Sequence, residues 1–209
     1  MLGAGLVLST FLPIWAKAAE QGPASVAGSS QGSSQAQSPA IAEPVYEQPR
    51  IEATGKADPL EAEVIVVADG ARLGLRHWDA SAPRAIVVAL HGMNDYSRAF
   101  EIPAPRWAEL GFTTYAYDQR GFGRSPGVGV WQGSVTMRRD LRDVVRAIRA
   151  HHPGLPLYVL GESMGGAVVM SALDEGPNME ADGYILIAPA VWGWGALPFT
   201  YRAALWFTA

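Results

Sequence analysis

The chain of 209 residues is long enough for one domain with a substantial hydrophobic core, and its formal net charge is only −4. The sequence contains no block of basic residues, which argues against a nucleic-acid partner. The absence of cysteine excludes disulfides, thiolate metal sites, cysteine catalysis and a lipid anchor on an N-terminal cysteine.

The first 59 residues divide into an apolar segment and a polar segment. Residues 1–15 are apolar and uncharged, and Ala16-Lys17-Ala18 supplies an A-x-A pattern typical of a signal-peptide cleavage site. We expect residues 1–19 to be a signal peptide or a membrane anchor, with a buried core helix as a third alternative. Residues 21–49 are rich in Ser, Gln, Ala, Gly and Pro, so a disordered linker is predicted over residues 20–59. The protein is therefore expected to be exported, to a periplasm or the extracellular space, or membrane-anchored.

An antiparallel pair of strands is predicted to open the folded part near Leu60. The two strands are Glu63–Ala68 and Arg72–Trp78, and Asp69-Gly70 between them is a strong hairpin signal. The folded part should therefore start with a hairpin rather than with a helix.

Strand-like and helix-like segments alternate after this hairpin. The predicted strands are Ala85–Leu90, Phe112–Tyr117, the run from Tyr158 and Tyr184–Ile187. The predicted helices are Ser97–Leu110, interrupted early by Pro103 and Pro105, then Val135–Ala150 and the run after Ser163. The β-branched run Ala85–Leu90 is typical of a strand buried on both faces. The alternation predicts an α/β fold over residues 60–190, with a mostly parallel sheet and helices on both faces.

One serine stands at the centre of a G-x-S-x-G pattern, between Gly161 and Gly165. A strand precedes it and a helix follows, which is the context of a nucleophile elbow, a strained turn that projects the serine hydroxyl out of the sheet. A Cβ atom at either glycine would press on neighbouring backbone. The alternative is a glycine-rich turn in which Ser163 merely caps the helix.

A second loop, His91-Gly92-Met93, follows the Ala85 strand. Loops that leave parallel strands at their C-terminal ends open onto one crevice, so this loop should lie near Ser163. The backbone N–H groups of Met93 and Met164 would then stabilise the negative oxygen of a tetrahedral intermediate. We expect the His91 ring to organise the loop through hydrogen bonds to nearby backbone rather than to act as the base.

A third loop, residues 118–125, follows the Phe112 strand. Its glycines permit a tight path, and Asp118 and Arg120 can brace it through hydrogen bonds and ion pairs. A phosphate-binding loop is the alternative for a glycine-rich turn beside a strand. Neither G-x-G-x-x-G nor G-x-x-x-x-G-K-[ST] is matched, which argues against nucleotide binding.

The three loops together, H-G-M-N-D-Y-S, D-Q-R-G-F-G-R-S and G-E-S-M-G-G, resemble the α/β-hydrolase fold. Within it they most resemble the monoacylglycerol lipase and lysophospholipase branch of serine hydrolases, over about residues 64–189. The resemblance implies that Ser163 is the nucleophile, that Met93 and Met164 form the oxyanion hole, and that Asp118 lies in a structural loop. It also implies ester hydrolysis of single-chain acyl lipids without a cofactor or a metal.

The sequence departs from this family in its catalytic acid and base. The order in the fold is serine, then acid, then histidine, but no histidine follows Ser163. His151 and His152 precede the nucleophile strand, roughly 17–20 Å from the serine edge, and Asp174, Glu175, Glu180 and Asp182 lie on the same far side. We therefore expect the acid and the histidine to be missing from this chain. The chain is interpreted as the N-terminal fragment of a longer hydrolase, truncated before the last core strands and inactive as it stands.

Aromatic residues are frequent in residues 191–209, where the resemblance implies the start of a helical cap. They are expected to line an acyl pocket or to pack the cap onto the core, and they are Trp192, Trp194, Phe199, Tyr201, Trp206 and Phe207. The sequence thus predicts a serine ester hydrolase of monoacylglycerol- or lysophospholipid-type substrates, with an acyl-serine intermediate and contact with a membrane surface. The alternatives are a non-catalytic module that binds a lipid or a partner, and a serine aminopeptidase of the same fold.

Overall fold

The computed structural model describes residues 46–57, 62–176, 179–191, 193 and 198–200. In this part of the chain the core is one seven-stranded sheet, ordered β1-β2-β3-β5-β4-β6-β7. The strands are β1 Arg50–Ala53, β2 Glu63–Val66, β3 Arg72–Trp78, β4 Ala85–Leu90, β5 Phe112–Tyr117, β6 Leu157–Glu162 and β7 Gly183–Ile187. The helices are α1 Pro103–Glu109, α2 Ser134–His151 and α3 Met164–Asp174, with a short 3-10 helix at Ser97–Phe100.

The sheet changes from antiparallel to parallel along its width. Strands β1, β2 and β3 pair antiparallel with one another, and β3 pairs antiparallel with β5. Strand β4 lies parallel between β5 and β6, and β6 lies parallel to β7. The C-terminal ends of β4 to β7 therefore meet at one edge, called here the carboxyl edge, and their N-terminal ends meet at the amino edge.

The central strand β4 is buried along its whole length, as predicted. Because side chains alternate along a strand, Ile86, Val88 and Leu90 join the hydrophobic cluster that contains α2 and α3. Val87 and Ala89 point to the other face and pack with the 3-10 helix and α1. Helices therefore cover both faces of the sheet, which confirms the predicted α/β architecture.

Helix α2 owes its position to one apolar stripe. Its buried apolar residues recur every three or four positions, so they fall on one side of the helix, and they are Met137, Leu141, Val144, Val145, Ala147 and Ile148. The helix is one residue longer at each end than predicted. It begins after Gly133, which has a positive φ of 82°, and it ends before Pro153, which disfavours helical backbone at His152.

The predicted linker over residues 20–59 is wrong at its C-terminal end. Strand β1, Arg50–Ala53, lies within that range and pairs with β2, so the sheet begins before the predicted start at Leu60. The strand has few large apolar residues, and on its exposed side Glu52 forms ion pairs with Arg50 on its own strand and with Arg72 on β3.

The predicted helix Ser97–Leu110 is two elements. The 3-10 helix ends at Phe100 and α1 begins at Pro103, so the break precedes the first proline. Proline is tolerated at the first helical position because its missing N–H would have no intrahelical partner there. Strand β2 is also shorter than predicted, since Val67 and Ala68 belong to the hairpin turn.

Several predictions fall on residues that the structure does not describe. These are the signal peptide or anchor at residues 1–19, most of the linker, and the cap aromatics Trp192, Trp194, Tyr201, Trp206 and Phe207. Within the described ranges, none of the helices has the length and apolar character needed to cross a membrane.

Candidate active site

Ser163 occupies a strained turn between β6 and α3. Its φ of 49° and ψ of −111° are unfavourable for a residue with a Cβ atom, at a cost of about 1–3 kcal/mol. The Ser163 N–H donates to the carbonyl of Ile187 at 2.9 Å, and the Ser163 carbonyl accepts from the N–H groups of Ala167 at 3.1 Å and Ala190 at 2.9 Å. Its side chain makes no capping hydrogen bond to α3. The alternative that Ser163 merely caps the helix is therefore wrong.

The glycines on either side of Ser163 permit a close crossing of backbones. A Cβ added at Gly161 would lie 2.6 Å from the Gly165 carbonyl oxygen, and one added at Gly165 would lie 2.5 Å from the Leu90 carbonyl oxygen. Both contacts agree with the steric role predicted for these glycines. Gly166, which the sequence did not single out, is equally crowded, because an added Cβ would lie 2.8 Å from Cβ of Pro189.

The loop after β4 lies against this turn. A Cβ added at Gly92 would lie 3.3 Å from Cβ of Ser163 and would collide with the Glu162 carboxylate. Two main-chain donors belong to this corner, the N–H groups of Met93 and Met164. Neither has a hydrogen-bond acceptor among the described residues. Met164 is buried and Met93 is 54 % exposed, so the corner opens to solvent on the Met93 side.

The His91 ring holds this loop to its neighbour. The ring is fully buried, and its Nδ1 hydrogen-bonds the Gly92 carbonyl at 2.8 Å. Its Nε2 accepts from the Gln119 N–H at 3.0 Å, while the Gln119 side-chain amide donates to the His91 carbonyl at 2.7 Å. Burial lowers the His91 pKa, so the ring is neutral with its proton on Nδ1. Both ring nitrogens of His91 are hydrogen-bonded to backbone, so the ring joins the loop after β4 to the loop after β5.

Asp118 ties the loop after β5 to the 3-10 helix. Its carboxylate is fully buried and accepts from the backbone N–H groups of Ser97 and Arg124, each at 2.8 Å. The Arg124 guanidinium approaches the same carboxylate at 3.5 Å. The Asp118 carboxylate thus holds the start of the 3-10 helix and the backbone at Arg124 together.

Arg120 braces the same loop from its other side. Its guanidinium forms ion pairs with Asp69 in the β2–β3 hairpin at 2.8 Å and with Asp140 in α2 at 2.7 Å. The loop after β5 is therefore anchored both to the antiparallel part of the sheet and to a helix. This agrees with the bracing predicted for Arg120.

Backbone strain is concentrated at the carboxyl edge. Among the described residues, the non-glycine residues with positive φ are Asn94 at 61°, Ser163 at 49° and Ala188 at 42°. They follow β4, β6 and β7 respectively, so all three lie at the carboxyl edge. Such strain gathers at functional sites. Asn94 carries a weak sequence signal, because asparagine tolerates this conformation, whereas nothing in the sequence marks Ala188.

The remaining histidines lie away from Ser163. His152 shares a hydrogen bond of 2.8 Å with the Tyr115 hydroxyl and stacks edge-on against His151 at 5.0 Å. These two residues lie just before β6, and Asp182, just before β7, binds the Leu157 N–H at the start of β6. In the described part of the chain, no histidine or carboxylate hydrogen-bonds the Ser163 hydroxyl. The described residues also contain no group of three or more acidic or histidine side chains placed to hold a metal ion.

A mostly parallel sheet with helices on both faces, and a serine on a strained strand–helix turn after an inner strand, defines an α/β-hydrolase. The chain belongs, within that class, to the family described as serine aminopeptidase, S33, whose sequence profile matches residues 81–209.

Relatives place the chain in the monoglyceride lipase branch of this class. It is 33% identical to human monoglyceride lipase over 129 residues, which are 61% of this chain and 42% of the lipase. It is 35% identical to the monoacylglycerol lipase of Mycolicibacterium smegmatis over 124 residues, 58% of this chain and 44% of that enzyme. The chain therefore spans less than half the length of these relatives.

Solved structures agree with this placement. A soluble variant of monoglyceride lipase from Saccharomyces cerevisiae, in complex with a substrate analog, matches with a TM-score of 0.51 and 27% identity over 58% of this chain and 41% of the lipase. The esterase EaEST from Exiguobacterium antarcticum matches with a TM-score of 0.51 and 26% identity over 61% and 45% of the two chains. The predicted resemblance to this branch is confirmed.

Proposed function

We propose that this chain carries the nucleophile and the oxyanion hole of a serine ester hydrolase for single-chain acyl lipids, of the monoacylglycerol or lysophospholipid type. The observation that carries the proposal is the strained Ser163 turn beside the Met93 loop, with main-chain donors that have no acceptor among the described residues. The names of the relatives, monoglyceride lipases in particular, support the choice of substrate.

The proposed reaction begins with attack of the Ser163 hydroxyl oxygen on the ester carbonyl carbon. A base takes the hydroxyl proton, and the carbonyl oxygen becomes an oxyanion that accepts hydrogen bonds from the N–H groups of Met93 and Met164. Collapse of this intermediate breaks the ester bond, and the alcohol leaves with the proton. Water then attacks the acyl-serine, releases the fatty acid and restores the Ser163 hydroxyl.

The base and its orienting acid are proposed to lie outside this chain. The four histidines of the sequence are His77, His91, His151 and His152, and all precede Ser163. His91 is committed to the backbone of its loop, and His152 is bound to Tyr115 near the amino edge. Neither can take a proton from Ser163 without leaving its present partners.

A second candidate function is that of an aminopeptidase, which the description of the family favours. Such an enzyme would use the same nucleophile and oxyanion hole on an amide, and it would need a carboxylate for the substrate's terminal ammonium group. Glu162, which adjoins Ser163 and packs over Gly92, is the residue proposed for that contact. Replacing it with Gln would then abolish aminoacyl-amide cleavage by the whole enzyme but spare ester cleavage.

Chemical rescue tests the role of Ser163 in the 209-residue chain itself. A fluorophosphonate forms a bond from phosphorus to the serine oxygen and releases fluoride, while added imidazole takes the proton in place of the missing histidine. We expect mass spectrometry to find label on Ser163 only when imidazole is present, and none in Ser163→Ala. Ser171→Ala, on the same helix, is the control and should label like the native chain.

Two other outcomes would be informative. Absence of Ser163 labelling at any imidazole concentration would refute the nucleophile. Rapid stoichiometric labelling of Ser163 without imidazole would instead support Ser163 as the nucleophile, and it would refute the proposal that the base lies outside this chain.

A further inference from the structure

The mechanism leaves unused an apolar loop beside the site, residues 126–133, called here the 126–133 loop. It connects the loop after β5 to α2. Its large side chains face solvent: Val128 is 65 % exposed, Val130 is 62 % exposed and Trp131 is 54 % exposed. Solvent-exposed apolar side chains that are contiguous in this way indicate a binding surface.

The exposure is built into the backbone of the loop. Gly127, Gly129 and Gly133 have φ values of 77°, 82° and 82°, a conformation that favours glycine. Two main-chain hydrogen bonds tie the loop to Gly121, from the Gly121 N–H to the Pro126 carbonyl at 2.9 Å and from the Gly129 N–H to the Gly121 carbonyl at 3.0 Å. A third, from the Val130 N–H to the Gly127 carbonyl at 3.0 Å, lies within the loop. The loop is therefore shaped to hold its apolar side chains outward, which lowers the entropic cost of binding.

Trp131 lines two clefts, one on each side of its indole ring. The first, of about 260 Å³, is lined by Met93, Asn94, Phe122, Val130 and Trp131 among others. The second, of about 220 Å³, is lined by Trp131, Ser134, Arg138, Met164 and Val168 among others. Each cleft thus contains one of the two proposed oxyanion residues, with the indole as a shared wall.

The two clefts differ in their polarity. The first contains no charged side chain, and Asn94 is its one polar side chain. The second contains Ser134, Ser171 and Arg138, whose guanidinium donates to the Ser171 hydroxyl at 3.1 Å and pairs with Glu175. A hydrocarbon chain loses no hydrogen bond with water on entering the first cleft and leaves no charge of the protein unpaired there.

We infer that the first cleft is the acyl-chain site, and that Trp131 and Phe122 are its specificity-determining walls. This inference rests on the proposed function, since it places the acyl chain of the ester along Met93, Phe122 and Val130 while the carbonyl carbon lies at Ser163. Phe122 is fixed for this role by its edge-on contact with the His91 ring at 5.4 Å. The chain length that the enzyme prefers is then set by how far the hydrocarbon runs along the indole.

The test compares imidazole-dependent labelling of Ser163 by two fluorophosphonates, one with an ethyl group and one with an octyl group. Each methylene that leaves water favours binding roughly fourfold, so we expect the native chain to react with the octyl probe at least about tenfold faster at low probe concentration. Trp131→Ala should remove most of that preference, because it should slow the reaction of the octyl probe far more than that of the ethyl probe. Trp131→Phe should keep much of it, and Val135→Ala, at an exposed valine that does not line either cleft, should keep all of it.

Three outcomes would overturn the inference or its basis, and they are distinguishable. Equal rates for the two probes in the native chain, or an unchanged ratio in Trp131→Ala, would refute the acyl site but retain the Ser163 nucleophile. Loss of binding of Trp131→Ala to phosphatidylcholine vesicles with an unchanged probe ratio would assign the 126–133 loop to a membrane surface instead. No labelling with either probe would refute the proposed function itself.

Discussion

The two edges of the parallel part of the sheet contain the same residue types in different roles. At the carboxyl edge, His91 is buried and fully hydrogen-bonded to backbone, the three positive-φ non-glycine residues cluster, and two N–H groups have no acceptor among the described residues. On the amino-edge side, His77 pairs with Glu63 and His152 pairs with Tyr115, so the polar groups satisfy one another. The comparison indicates that N–H groups without acceptors and backbone strain, rather than the presence of histidine or carboxylate, distinguish the edge at which the proposed nucleophile lies.

Among the predictions made here, removal of one main-chain N–H donor at the carboxyl edge should have the largest effect, and it should lower the labelling rate of Ser163. Met93→Pro lacks the N–H at that position, and loss of one oxyanion donor typically costs about 100- to 1,000-fold in rate. We expect imidazole-dependent labelling of Ser163 to fall by that order. Met93→Ala retains the N–H and should label at close to the native rate. Equal labelling rates for the two variants, both shown to be folded by circular dichroism, would refute the proposed role of the Met93 N–H in the oxyanion hole.

A matched pair of glycine substitutions compares steric crowding at the two edges. Gly165→Ala places a Cβ 2.5 Å from the Leu90 carbonyl oxygen, which is fixed backbone, so we expect a loss of about 1–3 kcal/mol in the free energy of unfolding. Gly183→Ala, at the amino edge, places a Cβ 3.0 Å from the ring of Tyr158, which is only partly buried and can move. It should cost less than about 1 kcal/mol. Urea unfolding measures both, and a larger loss for Gly183→Ala would contradict the contrast.

The histidines of the two regions should differ in their contribution to stability. His91→Phe leaves the buried Gln119 N–H without an acceptor, which costs about 1–3 kcal/mol. His152→Phe removes one part-buried hydrogen bond, the one to the Tyr115 hydroxyl, and should cost about 0.5–1.5 kcal/mol. Equal losses in urea unfolding would show that the loop after β4 does not depend on the His91 ring.

Much of this arrangement could be predicted from the sequence because the relevant signals are local. The spacing around Ser163 predicted the elbow, and the alternation of strands and helices brought the His91 loop to the same edge. A steric argument alone predicted that a Cβ atom at Gly161 or Gly165 would press on neighbouring backbone. In the structure, an added Cβ at each of these glycines would lie within 2.6 Å of a backbone carbonyl oxygen.

The features that the sequence did not predict depend on contacts between distant residues. The sequence of strand β1 predicts a linker because the strand has few large apolar residues, and its place in the sheet depends on backbone pairing with β2. The strain at Ala188 arises where β7 leaves the sheet beside Ser163, and no residue type announces it. The sequence of the 126–133 loop is equally compatible with burial of its apolar residues in the core. Only the fold shows that these side chains face solvent.

The smallest expected effect concerns the response of stability to pH. Burial lowers the His91 pKa, and for His152 burial together with the charge of His151 lowers the pKa. A histidine with a lowered pKa in the folded protein takes up protons more readily when unfolded. The free energy of unfolding should therefore be highest above the unfolded-state pKa of about 6.5 and should fall as the pH drops below that value.

The two histidines can be separated in this experiment. His152→Phe removes one of the two contributions without touching the carboxyl edge, so the loss of stability between pH 7.5 and pH 5.5 should shrink but persist, because His91 still titrates. Urea unfolding at the two pH values measures this difference. If the variant showed no loss at all, the His91 ring would take up a proton as readily in the folded protein as in the unfolded chain. That result would contradict the neutral ring whose Nε2 accepts from the Gln119 N–H.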